Sequence, residues 1–241
     1  KAAGACCAVG YNLAAASCAL RAGMDQFKES EFVDHAGEAL KVARLPLGDL
    51  WGPKRLAQIA RLAVTDCARA AGGIDPSRTA LILLAAERGR PHTETERYHE
   101  TFHAIEEECR ARFHDTSSII PKGRAGIGDA LLHAGKLLRE QHVAQVLLVG
   151  ADSYLSAAVI EHYLDLERLL CSGNSDGFIP GEGAGALLLQ LPQAGASGLH
   201  VLGVGTAREQ ATPDGDVPNR AIGLTQSILQ ASVQAQVPIG Q

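Results

Sequence analysis

A histidine pair on a predicted helix is the first feature of this sequence with a defined chemistry. His99 and His103 are four residues apart and enclose Glu100, in the pattern H-E-x-x-H. Residues four apart share one helix face, so the two imidazoles could bind zinc while the carboxylate acts as a general base. A zinc hydrolase needs a third protein ligand, and the neighbouring acids and His114 do not have a motif spacing. The many Glu and Arg residues here favour a solvated, charged helix face over a zinc site.

A glycine-rich acidic loop followed by an apolar run is the second such feature. The stretch 174–190 reads NSDGFIPGEGAGALLLQ and contains four glycines. Glycine allows a positive φ or a close approach of the backbone to another group. The run 184–189 is too short for a free helix and fits a buried strand. Because α/β proteins place functional residues in loops at strand ends, this stretch predicts an active-site loop.

The elements that must position these features alternate between apolar runs and helical patterns. The predicted strands are 2–9, 79–86, 116–120, 145–150, 184–189 and 200–206. The predicted helices are 12–22, 53–71, 95–113, 126–141 and 223–236. This order predicts an α/β fold with a mixed, mostly parallel sheet and helices on both faces. Residues 24–50 have weak periodicity and are predicted to be irregular.

Three consecutive segments resemble the N-terminal half of the β-ketoacyl synthases, which have the thiolase-like fold. They are the helix GIGDALLHAGKLL, the strand and turn QVLLVGADSYLS, and the loop SDGFIPGEGAGALLL. The resemblance covers residues 1–23 and 53–236, and its specific motifs lie within 123–215. It implies a thiolase-like fold with α/β/α layers.

The same resemblance indicates where a nucleophile would lie. In this family a Cys occupies a Cys-x-x-Gly turn that leads into a helix. Gly123 fits the glycine of that turn, which places Ile120 at the Cys position. The nearest hydroxyls, Ser117 and Ser118, are substitute candidates, although strand-end serines commonly bond to backbone groups.

The resemblance also assigns site residues, an activity and partners. Glu182 would be a hydrogen-bonding acid that orders the glycine turns, and Phe178 would pack beside the site. The family condenses acyl thioesters on acyl carrier protein or CoA and needs no cofactor, so we expect a β-ketoacyl-ACP synthase-like protein. Ile120 leaves open a second hypothesis, a catalytically degenerate binding partner or scaffold. The site-loop residues that the resemblance implies are Gly123, Asp176, Phe178, Gly181, Glu182, Gly183 and Gly185.

The family resemblance divides the chain at a connection near residues 192–198. Residues 1–192 would be the N-terminal thiolase-like half, and 199–241 would begin the second half, opening with a strand and a Thr212-Pro213 element. The family's second-half catalytic histidines are absent from these residues. The resemblance further implies a homodimer, or a heterodimer with a related subunit.

Composition excludes several other functions. The net charge of −5 argues against a nucleic-acid-binding surface. No apolar run of eighteen residues exists, so we expect no membrane partner. The six cysteines have no CxxC spacing, which favours reduced, buried thiols in a cytoplasmic protein. Fragments of the type Gly-x-Gly lack the third glycine of a dinucleotide site.

Overall fold

A five-stranded mixed sheet forms the centre of the protein. The computed structural model describes residues 1–193, 195, 198–211 and 216–239. In the order used below, the strands are β1 (Ala2–Cys7), β2 (Phe27–Val33), β3 (Ala39–Ala43), β4 (Thr79–Ala85), β5 (Ser118–Pro121), β6 (Gln145–Ser153) and β7 (Glu182–Leu189). The helices are α1 (Leu13–Arg21), α2 (Gly52–Ala71), α3 (Thr95–Cys109), α4 (Gly126–Arg139), α5 (Ala157–Asp165) and α6 (Ile222–Ala235).

The strand order of the sheet is β1-β7-β6-β4-β5. β6 pairs in parallel with β4, and β4 in parallel with β5. β7 is antiparallel to both of its neighbours, so four of the five strands point the same way and β7 opposes them. The predicted mixed, mostly parallel sheet is confirmed.

Helices cover both faces of this sheet, as the continuous apolar strands require. On one face, α2 and α3 pack on alternate residues of the central strands, among them Leu81, Leu83 and Leu147. On the other face, α4 packs on the intervening residues, among them Ile82 and Leu148. Successive side chains of a strand point to opposite faces of the sheet. Because helices cover both faces, the residues on both must be apolar.

Helix α2 follows from its sequence pattern. Pro53 lies in the first turn, where no backbone hydrogen bond is lost, and Gly72 ends the helix in the left-handed conformation. Its apolar stripe faces the sheet and buries small residues such as Ala60 and Ala63. One charged residue, Arg55, is also buried on this helix. Within the described ranges, no helix has the length and apolar character needed to cross a membrane.

Residues 24–50 are not irregular, and this prediction was wrong. They contain the antiparallel hairpin β2–β3, which forms a separate two-stranded sheet. The sequence FKESEFV hid β2 because five of its seven side chains are exposed and four of the seven are polar. Helix α5 was also not predicted; it buries Ile160 and Leu164 against Leu40 of this hairpin.

The predicted strand at 200–206 does not form in this structure. The segment has no strand partner among the described residues. Two of its backbone N–H groups instead donate hydrogen bonds to glutamine side chains of α6. Val204 N donates to Gln234 Oε1 (2.5 Å), and Thr206 N donates to Gln230 Oε1 (3.2 Å). The Thr212-Pro213 element lies outside the described residues.

Candidate functional site

The turn between β5 and α4 contains the position that the family resemblance assigns to the nucleophile. β5 ends at Pro121, and a short 3-10 turn, Gly123–Ala125, leads directly into α4. Ile120 is paired in register with Leu84 of β4, and its side chain packs against Gly126. An aliphatic residue therefore lies near the end of the strand, six positions before α4, and its side chain reaches Gly126, the first residue of that helix.

Gly123 allows a carboxylate to approach this turn closely. Its φ is +54°, a conformation that favours glycine, and a Cβ atom here would collide with the carboxylate of Glu87. Glu87 follows β4, the strand that pairs with β5. Glycine at position 123 therefore leaves room for the Glu87 carboxylate beside the turn.

The two candidate serines differ in their hydrogen bonding. Ser117 Oγ donates to His114 O (2.6 Å) and accepts from Leu81 N (2.9 Å), so its role is to join β4 to the loop before β5. Ser118 Oγ is buried and has no hydrogen-bond partner among the described residues. Both serines line a cavity of about 360 Å³ at the edge of β5.

Glu182 is the centre of a buried network that joins three distant segments. Its carboxylate accepts from Arg55 Nε (2.8 Å) and Nη2, from Leu45 N (2.8 Å) and from Ser153 Oγ (3.0 Å). The side chain of Glu182 is fully buried and that of Arg55 is 6% exposed. Four donors occupy the carboxylate oxygens, so the carboxylate is used in hydrogen bonds that join these segments and is not free to act as a base.

The glycine loop is fixed by close backbone contacts. A Cβ on Gly177 would collide with the peptide group between Leu169 and Leu170. Phe178 N donates to Arg168 O (2.8 Å), and Leu170 N donates to Phe178 O (3.0 Å), so the two loop segments pair at this point. Only a residue without a side chain permits this approach.

Replacing Gly177 by alanine is expected to destabilise the fold by about 1–3 kcal/mol, because the new methyl group must displace backbone. Gly173→Ala is the matched control, since nothing lies within 4 Å of its Cβ position. We expect this control to change stability by less than about 0.5 kcal/mol. Urea unfolding curves compare the two variants, and equal midpoints would contradict the close contact at Gly177.

The remaining loop residues lie in different environments. Phe178 packs edge-on against Tyr154 and Tyr163, with ring centroids 5.5 Å apart in both pairs. Asp176 is exposed. Gly181 contacts Ala43 of the hairpin, and Gly183 and Gly185 form ladder pairs of β7 with β1 and β6. These residues build the loop but do not converge on one point.

A second and larger cavity lies elsewhere, on the α2 and α3 side of the sheet. Its volume is about 510 Å³, and it lies at the C-terminal ends of β4 and β6. Arg90, Arg97, Asp152 and Ser153 provide polar groups on its wall. None of the predicted site residues lines this cavity. The sequence could have indicated Arg90 as a site residue, because it lies in the loop that follows the apolar strand β4, and loops at strand ends often contain functional residues.

Solved structures of ketosynthases match almost the whole chain. The ishigamide ketosynthase/chain length factor matches with a TM-score of 0.68 and 19% identity, over 98% of this chain and 73% of that chain. The AntDE:AntF complex, a type II PKS acyl-carrier protein with its ketosynthase bound to the hexaketide, matches with a TM-score of 0.74 and 18% identity over 99% and 69%. The ketosynthase ApeO in complex with its chain length factor ApeC from Xenorhabdus doucetiae matches with a TM-score of 0.62 and 16% identity, over 98% of this chain and 67% of that chain.

The chain has the thiolase-like ketosynthase fold. No family profile matches the sequence, and no curated protein matches it. Identities below 20% leave fold as the shared property, and function must be argued from the site.

Within this ketosynthase fold, burial disfavours the thiolate form of three cysteines. All six cysteines are free. Burial raises the pKa of Cys6 to about 11 and the pKa of Cys109 to about 11, and burial also raises the pKa of Cys67. A nucleophilic cysteine requires the opposite change, a lowered pKa that provides thiolate at neutral pH.

The histidine pair does not form a metal site with other described residues. His99 is exposed, and the side chain of His103 is 62% exposed and lies 3.6 Å from Glu106. No group of three potential ligands occurs among the described residues. Both histidines line the smaller cavity beside β5 of the ketosynthase fold.

One carboxylate joins the hairpin to the glycine loop of this fold. Asp34 accepts from Ser172 Oγ (2.5 Å) and from the backbone N–H groups of Ser172, Ala36 and Glu38. These bonds, first among them that from the Ser172 hydroxyl, lower the pKa of Asp34 to about 2. Its ordinary pKa is near 4.

This depressed pKa predicts an acid-sensitive contact. A folded-state pKa below the unfolded value adds stability above about pH 4, and that stability is lost as the pH falls towards about 2. Asp34→Asn is expected to be less stable than wild type at neutral pH and to lose less stability between about pH 4 and about pH 2. Urea midpoints at several pH values measure both effects. Parallel pH curves for the two proteins would contradict this account.

Proposed function

We propose that this protein is a β-ketoacyl-synthase-like subunit that binds acyl thioesters but does not form an acyl-enzyme. The observation that carries the proposal is Ile120, an aliphatic residue at the end of β5 where the family resemblance expects a cysteine. Condensation through an acyl-enzyme requires a nucleophile at that point, held at the start of a helix. An isoleucine retains the packing of the strand end and cannot be acylated.

The other nucleophilic side chains support this proposal. The buried thiols have raised pKa values, and the hydroxyl of Ser117 is used in backbone hydrogen bonds. Ser118 is the remaining candidate for an active condensing enzyme, because its buried hydroxyl has no partner among the described residues. This alternative needs a base within hydrogen-bond reach of Ser118, and no such bond to its hydroxyl is present in the described part of the chain.

We further propose that the chain pairs with a related subunit and meets an acyl carrier protein or CoA thioester. Matching structures include a ketosynthase with its chain length factor and a ketosynthase with an acyl-carrier protein. β5 is an edge strand whose outer side has no strand partner among the described residues. Such an edge is a template for pairing with another chain. Static light scattering tests this: a monomer alone, and no complex with a related ketosynthase, would contradict it.

Residues 199–239 belong to the second thiolase-like half in this proposal. Helix α6 has an exposed apolar face that includes Leu224, Leu229 and Val233, which are 60%, 50% and 78% exposed. An apolar face of this kind is typical of a surface that another element covers. The six free cysteines fit a reducing compartment, so we place the protein in the cytoplasm.

The proposed function separates binding from turnover, and both can be measured with one ligand. Octanoyl-CoA is expected to bind in equilibrium dialysis, while release of free CoA stays at the rate of the protein-free control. If the protein released CoA faster than this control, and Ser118→Ala abolished the excess, the result would favour the active enzyme instead. Ser117→Ala is the control, since its hydroxyl is committed to backbone groups.

A further inference from the structure

The 510 Å³ cavity combines an apolar wall with a buried cation. Its volume falls in the range of about 300–1,000 Å³ that is usual for small-molecule sites. The aliphatic and aromatic part of the wall comes from β4, α2, the hairpin and α5. Its members are Phe32, Trp51, Leu56, Leu83, Leu155 and Val159. A wall of this composition binds an aliphatic chain through removal of apolar surface from water.

Arg90 on this wall has unused hydrogen-bonding capacity. The residue is 7% exposed, and its Nη2 donates to Asp152 (2.6 Å). Its guanidinium lies 4.6 Å from the centroid of the Tyr154 ring. Nε and Nη1 are buried and have no hydrogen-bond partner among the described residues. Buried donors without a partner are costly, and a guanidinium fork matches a carboxylate in geometry.

The charges around the cavity leave an excess of cations. Arg55 is paired with Glu182 in the network described above. Arg90 forms an ion pair with Asp152, whose side chain is 43% exposed. Arg97 also lines the cavity, is half-buried, and forms no ion pair with any residue that the structure describes. Glu31 also lines the cavity and is paired with Arg44 (2.7 Å). Arg90 and Arg97 therefore have only Asp152 between them on this wall, and a ligand that carries one negative charge would balance the site.

We propose that this cavity binds a linear aliphatic chain that ends in a carboxylate, with the carboxylate on Arg90. The chain lies along the apolar wall, and the carboxylate accepts from the guanidinium donors that the protein leaves unpaired. The ligand is a free carboxylic acid or the far end of a carboxyacyl thioester, and only the second source rests on the proposed function. Neither source requires that the protein catalyse acyl transfer.

Calorimetric titration with two matched ligand pairs tests this inference. Octanoate and octanamide have the same chain, but the amide is uncharged and has an NH2 donor in place of one carboxylate oxygen. Suberoyl-CoA and octanoyl-CoA differ at the far end of the acyl chain, where a carboxylate replaces a methyl group. At least one carboxylate-bearing ligand is expected to bind about tenfold or more tightly than its partner, the gain typical of a charge-assisted hydrogen bond. Preference within the first pair identifies a free acid, and preference within the second identifies a thioester. Equal affinities within both pairs would overturn the inference.

Variants of neighbouring arginines locate the carboxylate. Arg90→Gln is expected to remove the tenfold preference, and Arg88→Gln is the matched control because Arg88 is exposed in the same loop. If circular dichroism shows that Arg90→Gln is unfolded, Arg97→Gln replaces it and is expected to weaken carboxylate binding severalfold. If the folded variant, Arg90→Gln or its replacement Arg97→Gln, still preferred the carboxylate-bearing ligand as strongly as wild type does, the inference would be overturned. Acyl transfer by the wild-type protein would contradict the proposed function and leave this binding result standing.

Discussion

Replacing Glu182 by alanine is expected to lower the free energy of unfolding by about 3–5 kcal/mol, because it leaves the Arg55 guanidinium charged and buried without its partner. The backbone N–H of Leu45 and the hydroxyl of Ser153 lose their acceptor as well. A loss of this size is a large fraction of the total stability of a typical domain, about 5–15 kcal/mol. Urea unfolding followed by circular dichroism measures it.

Two further variants show whether charge and burial cause this loss. Glu182→Gln retains an acceptor of similar shape and is expected to destabilise less than the alanine variant. Asp176→Ala removes an exposed acid from the same loop and is expected to stay within about 0.5 kcal/mol of wild type. If Glu182→Ala and Asp176→Ala had the same midpoint, the network would not stabilise the loop.

Introducing cysteine at position 120 is expected to create a reactive thiol. The residue lies three positions before Gly123, where the 3-10 turn that leads into α4 begins. The partial positive charge at a helix start favours the thiolate, so the pKa of Cys in Ile120→Cys should fall below its usual value of about 8.5. Iodoacetamide labelling resolved by peptide mass spectrometry should then show faster modification of this position than of the native, exposed Cys18.

The adjacent residue provides a matched control for this experiment. Ile119 precedes Ile120 on β5, but it packs against the opposite core, beneath α2 and α3. Ile119→Cys is expected to react at least about tenfold more slowly, because its side chain faces the core beneath α2 and α3 and not the start of α4. Equal or faster labelling at position 119 would contradict the account, in which only the side chain at position 120 lies next to the start of α4.

The sequence patterns predicted the sheet well because its strands are buried on both faces. Runs such as 79–86 and 145–150 contain almost no polar residues, so their signal survives without any knowledge of neighbours. The hairpin β2–β3 escaped prediction for the opposite reason, since its polar side chains face water. The segment 200–206 has the composition of a strand, but pairing depends on a partner that local composition does not describe.

The site was less predictable than the fold, because its contacts join residues far apart in the chain. Glu182 meets Arg55 across 127 positions, and no spacing rule connects them. The resemblance identified Glu182 as a structural acid, but it gave no indication of its partner. Arg90 and Asp152 come together only because β4 and β6 are adjacent in the sheet. The H-E-x-x-H pattern is the opposite case. Its spacing matches a zinc-binding motif, but the fold brings no third ligand to it among the described residues.

Intact-protein mass spectrometry of the wild-type chain after incubation with excess octanoyl-CoA tests the central claim most directly. The claim is that the start of α4 carries no nucleophile and that no acyl-enzyme forms. The account predicts an unchanged protein mass, with an adduct appearing only in the Ile120→Cys variant. A wild-type mass increase of one octanoyl group, located by peptide mapping to Ser118 or to any cysteine, would contradict it.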